Sequence, residues 1–272
     1  MQNNENLKQK YNDWNKFQKK EKLYLFALSV LGIVSFFSIW QLSSYLGLID
    51  SKLLPPPTKI FETLIFKFGN PEPDGNVLFV NMMASLQVAL SGFFLALVIG
   101  IPLGLVMGWW PYADRFLRPI FELIRPIPPI AWIPLVVVWF GIGLQAKALI
   151  IFFTAFVPCV INSYTGIKLT NQTYINVSKT FGASNFEIFR KVGIPYSLPM
   201  VFAGVRIALN NSWSTLVAAE MLAASAGLGY MIQLGRTIAR PDIVIVGMAV
   251  IGGLGAILSL LLSTLEKKYL KG

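Results

Sequence analysis

Five stretches of this chain run for twenty or more residues without an Asp, Glu, Lys or Arg: residues 23–49, 75–113, 126–146, 148–167 and 243–265. A sixth, residues 198–222, is interrupted only by Arg206 and Glu220. About 20 apolar residues carry a helix across the hydrocarbon core of a bilayer. Barrel strands would show an alternating pattern instead, and no other backbone satisfies its own polar groups in lipid. The sequence therefore predicts an all-α, polytopic membrane bundle of six transmembrane helices. The charged fraction agrees: 13% of residues, against about 25% in soluble domains.

The net charge of +10 is a topology signal rather than a nucleic-acid footprint. Lys8, Lys10, Lys16, Lys19, Lys20 and Lys22 precede the first span, and Arg115 and Arg118 follow the second. Lys168, Lys179, Arg190 and Lys191 follow the fourth, and Lys267, Lys268 and Lys271 follow the sixth. The opposite-side segments hold only Lys52, Lys59, Lys67, Lys147, Arg236 and Arg240. The positive-inside rule puts both termini in the cytoplasm. The expected layout is a basic cytoplasmic tail over residues 1–22 and a membrane domain over 23–272. Its spans lie at about 23–49, 84–110, 118–143, 146–167, 198–222 and 243–265, with a cytoplasmic loop at 168–197. Residues 23–49 exceed a signal-peptide core and read as an anchor. The single cysteine, Cys159, excludes an internal disulfide. The chain has no histidine, which excludes imidazole catalysis and histidine metal ligation.

Several features depart from a plain bundle. Residues 58–68, between a Leu53-Leu54-Pro55-Pro56-Pro57 run and a Pro-Glu-Pro-Asp-Gly turn, read as a short amphipathic helix capped by Thr58. Gly92, Gly100, Gly104 and Gly108 give the second span a small-residue face for close helix approach, within the chain or against a second copy. Pro126, Pro128, Pro129 and Pro134 crowd the third span. An interior proline costs a helix about 3 kcal/mol, so this span should kink or unwind unless the prolines sit at a helix start. Irregular backbone at membrane depth survives only inside protein or along a cavity, which makes Pro128 and Pro129 candidates for lining a passage. Charges in the membrane zone are costly. Glu122 and Arg125 are three apart and can pair. Arg125 is also a candidate for attracting an anion or closing an inner gate. Arg206 reaches toward the cytoplasmic interface, and Glu220, near the outer face with Trp213, is a candidate gate.

The loop at 168–197 contains Gly182-Ala183-Ser184-Asn185-Phe186-Glu187-Ile188-Phe189. Ser184 followed by Glu187 predicts a capping box opening a short helix, and Pro195 is expected to end it. Phe186 and Phe189 on one side make a knob for a partner's groove or for the lipid interface.

This segment resembles the coupling loop of ABC importer permeases, in which a Glu-Ala-Ala triplet precedes a glycine and, at a set interval, Ile-x-Leu-Pro. Gly182 and Val192-Gly193-Ile194-Pro195 match, and Asn176-Val177-Ser178 stands in place of the triplet. Leu54-Pro55-Pro56-Pro57, Ser91-Gly92-Phe93 through Gly108, Arg125-Pro126-Ile127-Pro128-Pro129 and Trp139-Phe140-Gly141-Ile142-Gly143 extend the likeness. Ala219-Glu220-Met221 with Gly227-Leu228-Gly229-Tyr230 completes it, over residues 50–265. In this order they are similar to the nitrate/sulfonate/taurine permeases with the type I importer fold. The resemblance implies a homodimer in the bacterial plasma (inner) membrane, cytoplasmic ATPase subunits that carry ATP and Mg, and an extracytoplasmic solute-binding protein. It implies no cofactor in this chain, which has no Gly-x4-Gly-Lys phosphate loop and is expected not to be an enzyme. It implies ATPase coupling through Gly182, Ala183, Phe186, Glu187, Phe189 and Pro195. The implied cargo is a small anion or zwitterion, taurine or an alkyl sulfonate ahead of nitrate. An ion-coupled secondary transporter is the rival reading. The few intramembrane acids and the absence of an internal repeat count against it.

Overall fold

The computed structural model describes residues 2–223 and 225–270, and among them every regular element is helical. In order these are α1 (Gln2–Tyr45), α2 (Pro57–Gly69), α3 (Leu78–Trp109), α4 (Pro111–Ile124), a 3-10 turn (Pro129–Trp132) and α5 (Ile133–Phe140). Then follow α6 (Leu144–Lys168), α7 (Gln172–Thr180), α8 (Asn185–Ile188), a π-helical turn (Phe189–Gly193), α9 (Ile194–Ala223), α10 (Leu228–Thr237) and α11 (Pro241–Leu270). Among the described residues five helical stretches are long and apolar enough to cross a membrane, and a sixth is added where the bent pair Pro111–Ile124 and Pro129–Phe140 counts as one span.

The chain divides into two compact units, residues 1–63 and 64–272. In the first, Gln41 of α1 accepts from the Thr58 backbone N–H (3.3 Å) and donates to its hydroxyl (3.4 Å). Thr58 is therefore not the cap of α2, which begins one residue earlier at Pro57, a residue suited to a first turn because its missing N–H is not needed there.

In the second unit α3 lies along α6, and α6 along α9. The small-residue face resolves as internal packing between α3 and α6. A Cβ on Gly104 would stand 2.8 Å from that of Ser163, and one on Gly108 2.9 Å from that of Ile167. Ala96, Leu105, Ala155, Cys159, Ile167 and Val205 fill the core between these helices. Outward-facing residues such as Val98 and Leu260 are apolar and exposed, as a surface solvated by acyl chains requires.

Candidate functional site

The third span is not one helix. α4 ends at Ile124, because Pro126, Pro128 and Pro129 each lack the N–H that an i→i−4 bond needs. The chain crosses the gap with isolated turn bonds, Ile127 N–H to Ile124 O and Ala131 N–H to Pro128 O. It resumes in the 3-10 turn and then in α5, where Pro134 occupies the tolerated first turn. The two arms meet at 80°. Inside this elbow, against α6 and α9, lies a cavity of about 480 Å³. Its walls are mainly apolar, with Phe121, Ile124, Trp132, Phe153 and Phe156 among them, and Trp132 stacks on Phe153 at 4.9 Å. Arg125 contributes a guanidinium, and Thr154, Asn211, Ser214 and Thr215 contribute small polar groups. Arg125 Nη1 lies 3.3 Å from both oxygens of Glu122, each partner about half exposed. Such a pair is worth at most about 1 kcal/mol, so the guanidinium exchanges partners at little cost.

The structure thus gathers Arg125, Pro128 and Pro129 around one cavity. It does not bring Trp213 or Glu220 there. Trp213 donates from Nε1 to Ile251 O at 3.0 Å and fastens α9 to α11. Arg206 is paired with Glu266 of α11.

Glu220 is 1% exposed and belongs to a buried polar chain that the sequence did not reveal. Its carboxylate accepts from the Ser85 hydroxyl (2.8 and 2.9 Å) and from the Gly229 N–H (2.8 Å). Ser85 Oγ in turn accepts from the Leu228 N–H, and Asn81 Oδ1 from the Gly227 N–H. Asn81 Nδ2 donates to Asp74, whose other oxygen pairs with Lys67 at 2.5 Å. Lys67 also donates to the carbonyls of Pro71, Glu72 and Asn76. The loop before α10 can wrap the carboxylate only because it has no side chain there. Gly227 has φ +126°, and a Cβ would stand 2.7 Å from Glu220 Oε2. Full pairing is what makes such buried charge tolerable. The arrangement fixes Glu220 as a clamp between α3, α9 and the 225–229 loop. The sequence signal available was Asn81 and Ser85, four apart on one face of an uncharged helix.

On the other side of α9, α7 ends in a Schellman motif: Gly182 N–H bonds Lys179 O and Ala183 N–H bonds Ser178 O. Gly182 sits there at φ +78°, a conformation that disfavours any other residue. The capping box forms as the sequence predicts, with the Ser184 N–H 2.9 Å from Glu187 Oε2 and the Glu187 N–H 3.3 Å from Ser184 Oγ. Two expectations are corrected. Pro195 does not end the helix. The π turn, in which Ile194 N–H reaches Phe189 O, precedes it, so α8 runs on into α9 as one helical stretch, Asn185–Met221. Phe189 is not an exposed knob. It is 8% exposed, with its ring 4.7 Å from Trp110 and 5.5 Å from Trp109. Phe186 and Phe181 are exposed, and Phe181 lines a shallow pocket with Ala183, Glu187 and Ile188.

A family model described as binding-protein-dependent transport system inner membrane component matches residues 79–271. The chain belongs to that family. This permease is 37% identical to the taurine transport system permease protein TauC of Escherichia coli, over 89% of this chain and 88% of that one. It is 33% identical to the bicarbonate transport system permease protein CmpB of Synechocystis, over 89% and 88%. Among solved structures, an inward-facing MetNI methionine ABC transporter chain superposes with a TM-score of 0.61 at 21% identity, covering 69% of this chain and 93% of that one. That likeness shows the shared fold. The permease is a multi-pass transport subunit of an ABC importer, and ATP hydrolysis lies in separate subunits. Membership sets aside the secondary-transporter reading.

Proposed function

We propose that this permease imports a small anionic or zwitterionic solute, taurine or an alkyl sulfonate ahead of nitrate or a related anion. A solute-binding protein delivers it from outside, and two copies of the chain form the membrane dimer. Cytoplasmic ATPase subunits, which carry ATP and Mg, seat against residues 168–197. Both termini lie in the cytoplasm. The observation that carries the reading is the elbow cavity. It has an apolar wall suited to a methylene body and one weakly held guanidinium suited to an acidic head. The relative named for taurine supports the same choice.

Three measurements test this. Phe186→Asp should abolish co-purification of the ATPase subunit, and retention of the ATPase would remove the docking assignment. Arg125→Gln should lower taurine uptake into proteoliposomes at least tenfold with assembly unchanged. Failure of the partner binding protein to bind taurine and alkyl sulfonates would redirect the substrate assignment to inorganic anions.

A further inference from the structure

Resting on the reading that residues 168–197 meet the ATPase, we infer that Phe189 is the positioning residue that hands motion of the docked segment to α3. The docking surface and the membrane core are joined within three residues. Phe186 is exposed at the start of α8 (61%), whereas Phe189 is buried against the indoles of both Trp109 and Trp110, the last residue of α3 and the residue that caps it. Phe189 also belongs to the same buried cluster as Leu105 of α3, Ile167 of α6 and Val201 of α9. One turn on, Gly193 lets α9 close on the same indole, because a Cβ there would meet Trp109 at 2.9 Å.

The backbone between these contacts is the π turn, whose extra residue per turn marks a local departure from α geometry of the kind found at functional sites. Past it the helix is continuous to Met221. A push on Phe186 therefore reaches α9 along its axis and reaches α3 through Phe189 packed on two indoles. Close-packed side chains shift between discrete arrangements rather than deforming continuously. A planar ring held by two others transmits sideways force, and a smaller or round side chain leaves slack.

The test needs no knowledge of the solute. Ile130→Cys places a reporter at the elbow cavity, while native Cys159 is buried and silent. Maleimide labelling is measured on the complete complex in nanodiscs, with and without ATP and vanadate. With Phe189 present, trapping should change the labelling rate at least fivefold. Phe189→Ala and Phe189→Leu should keep the ATPase bound but reduce the change below twofold, with Phe189→Tyr restoring it. If Phe189→Ala fails to assemble, Phe189→Leu decides, since it keeps apolar volume without the ring. A full response from Phe189→Leu with the ATPase bound overturns this inference alone. Absence of ATPase binding with Phe189 intact overturns the docking reading and this inference with it.

Discussion

Ser85→Ala removes a hydroxyl that serves two partners in a fully buried site. Ser85 Oγ donates to the Glu220 carboxylate and accepts from the Leu228 N–H, and Ser85 itself is fully buried. Loss of a hydrogen bond to a charged group costs about 1.5–3 kcal/mol, and a buried N–H left unpaired costs about 1–3 kcal/mol. The two losses share one site and are not fully additive, so about 3 kcal/mol is a reasonable total. For a chain of this size each kcal/mol lowers the melting temperature by about 2–4 °C, which gives a fall of about 6–12 °C. The assay is the fraction of nanodisc-embedded permease still monodisperse after stepwise heating. Ser263→Ala is the control, because its hydroxyl is exposed and bonds only its own helix at Leu260 O. The control should move by no more than about 0.5 kcal/mol. A Ser85→Ala shift as small as that of the control would refute the clamp as a stabilising element.

Lys67→Met leaves Asp74 charged and buried, and breaking such a pair costs about 3–5 kcal/mol. Lys67→Met with Asp74→Asn should recover much of the loss, since Asn81 keeps a partner; a double variant melting lower than the single would contradict the pairing. Gly104→Val forces a branched side chain into contact with Ser163 and the α6 backbone and should destabilise by about 1–3 kcal/mol or more. Gly252→Val, at a position with no neighbour within 4 Å, should be tolerated, and equal melting temperatures would count against α3–α6 packing as the role of the glycines.

The spans and the broken third helix were legible because they rest on local rules. Uncharged runs report the solvent, and Pro126, Pro128 and Pro129 remove hydrogen bonds wherever they stand. The capping box of Ser184 and Glu187 is equally local. The clamp was not legible, because Ser85 and Glu220 are 135 residues apart and nothing in either neighbourhood names the other. Lys67 looked like an ordinary charge on an amphipathic helix, yet the 70–76 loop folds over it and supplies three carbonyls. Phe189 was misplaced for a related reason. Its spacing from Phe186 suits a shared surface, but the slot it fills is made by Trp109 and Trp110, about eighty residues earlier in the chain.

These contacts divide the permease into a tied part and a loose part. α3 and α9 are fastened at one end by Glu220 and at the other by Phe189, with α6 close-packed against both. The elbow is different: neither α4 nor the 3-10 turn contributes a buried residue, and α5 contributes only Ile133 and Val136. Local stability follows buried contacts, so opening costs less at the elbow than in α3. Hydrogen exchange on the isolated chain in nanodiscs should therefore be at least tenfold faster for backbone amides at 120–132 than for those at 93–105 in α3. Within the assembled complex, trapping with ATP and vanadate should alter exchange at the elbow while leaving α3 unchanged. Protection at the elbow equal to that of α3 in the isolated chain would show that the prolines build a rigid wall, and that the cavity opens by movement of some other element.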